Sequence, residues 1–111
     1  MATFQLALLE DAHSFLQSIP VQARNKILYN IDRVARGERN IELFKKLDDE
    51  IWEFRTLYNG IAYRLFAFWD TEAQAFAVAT HGIVKKTQKT PKKEIARAKA
   101  IMKQYFDIKN K

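Results

Sequence analysis

Ile51-Trp52-Glu53-Phe54-Arg55-Thr56-Leu57-Tyr58, then Asn59-Gly60, then Ile61-Ala62-Tyr63-Arg64-Leu65-Phe66-Ala67-Phe68-Trp69: two runs of aromatic and branched residues separated by a dipeptide. Asn and Gly both accept positive φ, which a two-residue type I′ turn demands, so the stretch reads as a β-hairpin. The short loop also fixes the register. With Tyr58 opposite Ile61, Trp52 faces Ala67, Phe54 faces Leu65 and Thr56 faces Tyr63 on one largely apolar side. The other side pairs Ile51 with Phe68, Glu53 with Phe66 and Arg55 with Arg64.

Downstream, a turn around Asp70-Thr71-Glu72 leads to a third strand from about Ala75 to Val84. The chain then becomes basic from Lys85 to Lys93. Thr90-Pro91 reads as a helix start, with the Thr hydroxyl as cap and Pro set for the first turn. The helix that follows carries Ile95, Ala98, Ile101, Met102, Tyr105 and Phe106 on its inner side. Upstream, Thr3 to Leu8 reads as a first strand. Ala12, Phe15, Leu16 and Ile19 form the stripe of one short helix, and Ile27, Ile31, Val34 and Ala35 that of a second. Pro20 separates the two into a helical hairpin, and Gly37 ends the second. Residues 38–49 read as a connector anchored by Phe44 and Leu47. The order is βααβββα. It predicts one α+β domain over residues 1–111, an N-terminal helical hairpin and a C-terminal helix packed around a small antiparallel sheet.

The 111 residues are 48% hydrophobic, enough for one core and too few for two. Without Cys, disulfides, thiolate catalysis and sulfur-ligated zinc are excluded. The longest apolar run, Ile61 to Trp69, is interrupted by Arg64 and is far short of the ~20 residues of a membrane helix. No basic region precedes an apolar one at the N-terminus. These features predict a cytoplasmic protein with no membrane partner. No Gly-rich phosphate loop, dinucleotide fingerprint or Ser–His–Asp spacing is present, and no cofactor is expected. Asp48-Asp49-Glu50 reads as a solvated turn rather than a cation site, and no metal is expected either.

The net charge is +6, and all of the excess lies in the second half of the chain. Residues 1–57 hold eight basic and nine acidic residues; residues 58–111 hold eleven and four. Ten basic residues between Lys85 and Lys111 are either a solvated face or the footprint of a polyanion. Lys85, Lys89, Lys92, Lys93 and Arg97 are the polyanion-binding candidates, RNA being the polyanion that the resemblance described below implies. The Arg55–Arg64 pair is more specific. Like charges directly opposite destabilise a sheet, so they require an acidic neighbour, for which Glu53 is placed, or a bound anion such as phosphate. His81, whose ordinary pKa is near 6.5, reads either as a packed, hydrogen-bonded residue or as a proton-transfer group. Lys86 is the other candidate for that role. Trp52, Trp69, Tyr63, Phe66 and Phe68 interleave with the cations, and read as core before base stacking.

Leu47 with Ile51-Trp52-Glu53-Phe54-Arg55, Tyr63-Arg64-Leu65-Phe66, and above all His81-Gly82-Ile83-Val84-Lys85-Lys86-Thr87-Gln88-Lys89-Thr90-Pro91 resembles the phage-derived, HigB-like branch of the RelE/ParE toxin superfamily. The resemblance covers nearly the whole chain. It implies the toxin of a type II toxin–antitoxin module, a metal-independent mRNA endoribonuclease acting on the ribosome or free of it, neutralised by a helix-turn-helix antitoxin. ParE-like relatives instead inhibit DNA gyrase, and a plain RNA-binding module is the remaining alternative. By position, Arg64 matches the sheet arginine of the RelE pattern, Arg55 a basic residue of the preceding strand, and Lys85 or Lys86 the basic residue after the last strand. The implied catalytic set is Arg55, Arg64, His81 and Lys86. Glu53 departs from the pattern, which is basic there, and the pattern's tyrosine near the C-terminus has no clear match.

Overall fold

The structure is a computed structural model that describes residues 4–72, 76–85 and 89–111. Its elements are β1 (Gln5–Leu8), α1 (Glu10–Ser18), α2 (Val21–Ala35), β2 (Phe44–Lys46), β3 (Trp52–Tyr58), β4 (Ile61–Asp70), β5 (Phe76–Lys85) and α3 (Lys92–Lys109). The strands form one sheet in the order β1-β5-β4-β3-β2. Its centre is the antiparallel trio read from the sequence. Asn59 (φ 53°) and Gly60 (φ 76°) make the turn. The β3–β4 register runs from Tyr58 opposite Ile61, through Arg55 opposite Arg64, to Trp52 opposite Ala67, as the two-residue loop requires.

Both edges differ from the expectation. β1 lies parallel to β5, so the sheet is mixed rather than wholly antiparallel. The 38–49 connector contains a fifth strand, β2, antiparallel to β3 with Phe44 opposite Phe54. Three residues give no legible period, but Phe44 is held by ring stacking on Trp52 and Phe54, with centroids 4.6 and 4.4 Å away.

Each face of the sheet buries a separate core. On one, Ala12 and Leu16 of α1 and Ala23, Ile27, Ile31 and Val34 of α2 cover Phe54, Tyr63, Leu65, Ala67 and Ala79. On the other, Ala98, Ile95, Met102, Tyr105 and Phe106 of α3 cover Ile51, Phe66, Phe68 and Val78. Gly82 lies directly under the Phe15 ring of α1, since a Cβ there would lie 2.3 Å from it. α2 ends at Gly37 (φ 105°), whose N–H donates to Val34 O.

One irregularity in β5 positions the site. Phe66 pairs with His81 but Ala67 pairs with Ala79, leaving Thr80 as an extra residue. Such a bulge reverses the in–out alternation. Val78 and His81 therefore both point toward α3, and beyond the bulge Ile83 and Lys85 follow His81 onto the face that carries Arg55 and Arg64.

The start of α3 corrects a local expectation. The helix begins at Lys92 behind Pro91, with no side-chain cap. Thr90 instead donates its hydroxyl to Glu53 Oε2 at 2.6 Å.

Candidate phosphate-binding site

Three adjacent rows cross the sheet on the α3 side. Glu53, Phe66 and His81 form the first, Arg55, Arg64 and Ile83 the second, and Leu57, Ala62 and Lys85 the third. The first row lies under α3, and the other two run out toward an open cleft. Glu53 is 1% exposed. Its Oε1 lies 3.4 Å from Arg55 Nε and 3.5 Å from Arg64 Nε, while its other oxygen takes the Thr90 hydroxyl. One buried carboxylate thus serves two guanidiniums and pins the segment that enters α3.

The compensation is partial. Neither Nε has a hydrogen-bond partner among the described residues. Both guanidiniums also bond to backbone: Arg64 Nη1 donates to Tyr63 O at 3.0 Å, and Arg55 Nη1 donates to Ile41 O at 3.0 Å. Burial pushes Arg64 below the usual arginine value, Glu53 opposes the shift, and Arg55 adds to it. Lys85 is also lowered, first by burial and then by the facing charge of Arg64. The site therefore holds three cations against one carboxylate, in a setting where further positive charge is disfavoured and an anion is favoured.

Arg55, Arg64 and Lys85 open into a cleft of about 980 Å³, together with Lys26, Asn30 and Arg33 of α2, residues 40–43, Thr56, Leu57 and Ala62. The 40–43 turn is tied to β3 by Arg55 N–H donating to Leu43 O at 2.8 Å. Asn30 Nδ2 donates to Thr56 Oγ1 at 3.1 Å, and Asn30 Oδ1 is buried with no hydrogen-bond partner among the described residues. The α2 wall had not been read from the sequence. Its signal is a polar stripe, Lys26, Asn30 and Arg33, at helical spacing beside the apolar stripe.

The remaining candidates lie elsewhere. His81 is buried and does not line the cleft. Its ring stacks on Phe66 with centroids 4.8 Å apart. Nε2 is 3.1 Å from Glu94 Oε1 and Nδ1 is 3.0 Å from Thr80 Oγ1. Burial holds its pKa below the usual value, Glu94 opposes this, and Arg97 adds to it. A neutral ring that donates from Nε2 to Glu94 and accepts the Thr80 hydroxyl at Nδ1 satisfies both ring nitrogens. That arrangement fits the packed, hydrogen-bonded reading of His81, whose ring lies outside the cleft shared by Arg55, Arg64 and Lys85. Lys86 lies outside the described residues. Lys89, Lys92 and Lys93 are exposed and, with Arg97, are not among the residues lining the cleft. Arg97 pairs with Asp11 of α1 at 3.1 Å, and Lys99 pairs with Asp48 at 2.7 Å. Part of the C-terminal positive charge is thus met, on the exposed surface, by carboxylates from the first half of the chain. Among the described residues, no group of three His, Cys, Asp or Glu is arranged to hold a metal, and no helix is long and apolar enough to cross a membrane.

A family model described as phage-derived protein Gp49-like matches residues 14–103. No curated protein is a significant match in sequence. Among solved structures, the free state of the E. coli toxin RelE, carrying two arginine-to-alanine substitutions, aligns with a TM-score of 0.62 at 16% identity. The alignment covers 88% of this chain and 95% of that one, and at such identity it establishes the fold.

Proposed function

This chain belongs to the phage-derived Gp49-like family and has the fold of the toxin RelE, and on that premise we propose that it is a RelE-like toxin of a type II toxin–antitoxin module and cleaves mRNA. The observation that carries the reading is the convergence of Arg55, Arg64 and Lys85 on one cleft, with a single buried carboxylate behind them. In the proposed reaction the 2′-OH attacks the adjacent phosphorus in line. The P–O5′ bond breaks, leaving a 2′,3′-cyclic phosphate upstream and a 5′-OH downstream. Arg55 and Arg64 stabilise the extra negative charge of the five-coordinate phosphorus, as permanently protonated donors that face a phosphate in pairs. Lys85 gives its proton to the departing O5′, a step made easier by its lowered pKa. The 2′-OH gives up its proton to a base, the role proposed for Lys86 in its neutral form; His81, buried away from the cleft, takes no part.

The partners that follow are mRNA, on the ribosome or free, and an antitoxin of the helix-turn-helix kind, with the cytoplasm as the place of action. Induced expression in bacteria should arrest growth and produce new 5′-OH ends within coding regions, with plasmid supercoiling unchanged. Arg64→Ala should abolish both effects. Intact mRNA with relaxed plasmid would replace this reading with gyrase inhibition. RNA binding without new ends would leave a plain binding module.

A further inference from the structure

We propose that the face of α2 beside the cleft, formed by Lys26, Tyr29 and Arg33, is a docking platform for single-stranded RNA, with a base stacked on the Tyr29 ring and the neighbouring backbone led past Lys26 into the cleft. The proposal rests on the RNA reading of the cleft and adds a binding site to it. Tyr29 is 59% exposed, whereas Phe4, Phe54 and Tyr63 on that side of the sheet are buried in the core. Two cations flank it one helical turn away on either side. Lys26 Nζ is 5.3 Å from the ring centroid and Arg33 Cζ is 6.0 Å from it.

The cations differ. Arg33 is fixed by two hydrogen bonds to Glu38, at 2.9 and 2.5 Å, so much of its charge is already met. Lys26 has no carboxylate within 4.0 Å among the described residues and is available to a phosphate. Lys26, Asn30 and Arg33 also line the cleft that holds Arg55, Arg64 and Lys85, so platform and cleft are one continuous surface. Glu42 is the carboxylate among its lining residues. Ile41 and Leu57, each 71% exposed, form apolar shoulders. Asn30 Oδ1, buried and without a partner among the described residues, leaves hydrogen-bonding capacity unused in the floor.

An open aromatic face between cations, leading to a cationic cleft with amide groups, matches a nucleotide strand, which offers a flat base and a phosphate at each step. A duplex hides the base faces in its stack, so the complementary form is a single strand. An acidic peptide would use the cations but leave the ring face without a partner.

The test uses the full chain and a fluorescent ten-nucleotide RNA with 2′-O-methyl groups, which cannot be cleaved. Tyr29→Ala should weaken binding about five-fold or more, as expected for the loss of one base–aromatic stack. Tyr29→Phe should bind like the wild type. Lys26→Gln should reduce the log–log salt slope by about 0.7, the share of one phosphate contact on a single strand. Melting temperatures should be unchanged, because both side chains lie on the surface. Absence of oligonucleotide binding by the wild type, or equal binding by Tyr29→Ala, would overturn the platform. So would an equal effect of Tyr29→Ala on a polyglutamate decapeptide. Reporter-mRNA cleavage in a translating cell-free extract is read in parallel and reports on the enzymatic reading alone.

Discussion

Replacing Glu53 by Gln keeps the size of the side chain and an acceptor for the Thr90 hydroxyl, and removes the one carboxylate that the two sheet arginines share. Arg64 has a side chain 10% exposed and Arg55 one of 24%, so neither guanidinium can recover full hydration in place. Removing one partner of a buried ion pair costs about 3–5 kcal/mol. The partial exposure of Arg55 puts the expected loss at the low end, about 3 kcal/mol. For a domain of this size that corresponds to a fall of roughly 12 °C in melting temperature. The same vacancy should increase the response to added anion. A ligand that binds only the folded state stabilises it by RT ln(1 + [L]/Kd), about 2.7 kcal/mol at a hundred times Kd. Sulfate titrations followed by thermal melts should therefore recover most of the loss in Glu53→Gln and raise the wild type less. A loss below about 1 kcal/mol, or parallel sulfate responses in the two proteins, would refute the claim that Glu53 is the counter-charge on which the pair depends.

Four further outcomes are expected. Lys85→Gln should lower single-turnover cleavage by about 10²-fold or more, the scale of one general acid, and remove the alkaline limb of the pH–rate profile. In the wild type that limb should fall below the ordinary lysine value, since an acid is lost as pH rises through its lowered pKa. Burial lowers the His81 pKa, so its contribution to stability is complete above about 6.5 and declines as pH falls from there toward the lowered value; melts from pH 7.5 to 5 should show the decline, and His81→Gln should flatten it. The corresponding carboxylate case is Asp70, held low first by Lys109 and then by Tyr105, whose contribution is present above its ordinary value of 3.8 and disappears as pH falls through the lowered one; Asp70→Asn should remove that acid-limb dependence in urea melts. Gly82→Ala should cost about 1–3 kcal/mol by urea denaturation, because its Cβ would drive the Phe15 ring and α1 off the sheet.

The centre of the fold was legible because its signals are local. Asn59-Gly60 sets the turn, the turn sets the register, and the register alone puts Arg55 opposite Arg64. β2 was not legible, since three residues leave no periodicity and Phe44 is held by rings distant in sequence. The bulge at Thr80 carries no Gly or Pro signal, yet it aims Lys85 at the arginines and turns His81 under α3. Thr90 followed local capping rules on paper, but tertiary structure offered it a buried carboxylate instead. For the same reason a charge count overrated α3: Arg97 and Lys99 find acids from the first half of the chain, which no local window can show. The α2 wall of the cleft is a surface brought to the sheet edge by packing, and only its polar stripe was present in the sequence.

The chemistry assigned to the cleft requires the substrate's own 2′-OH as nucleophile. The decisive measurement is the analysis of fragment ends after the purified chain acts on a reporter mRNA in a translating extract, beside the same mRNA with a single 2′-O-methyl group at the cleaved position. The expected result is 2′,3′-cyclic phosphate and 5′-OH ends from the unmodified message, no cleavage at the blocked position, and no cleavage at all with Arg64→Ala. Ends bearing 5′-phosphate, cleavage across the 2′-O-methyl group, or full activity of Arg64→Ala would contradict the assignment of Arg55, Arg64 and Lys85 to phosphodiester cleavage.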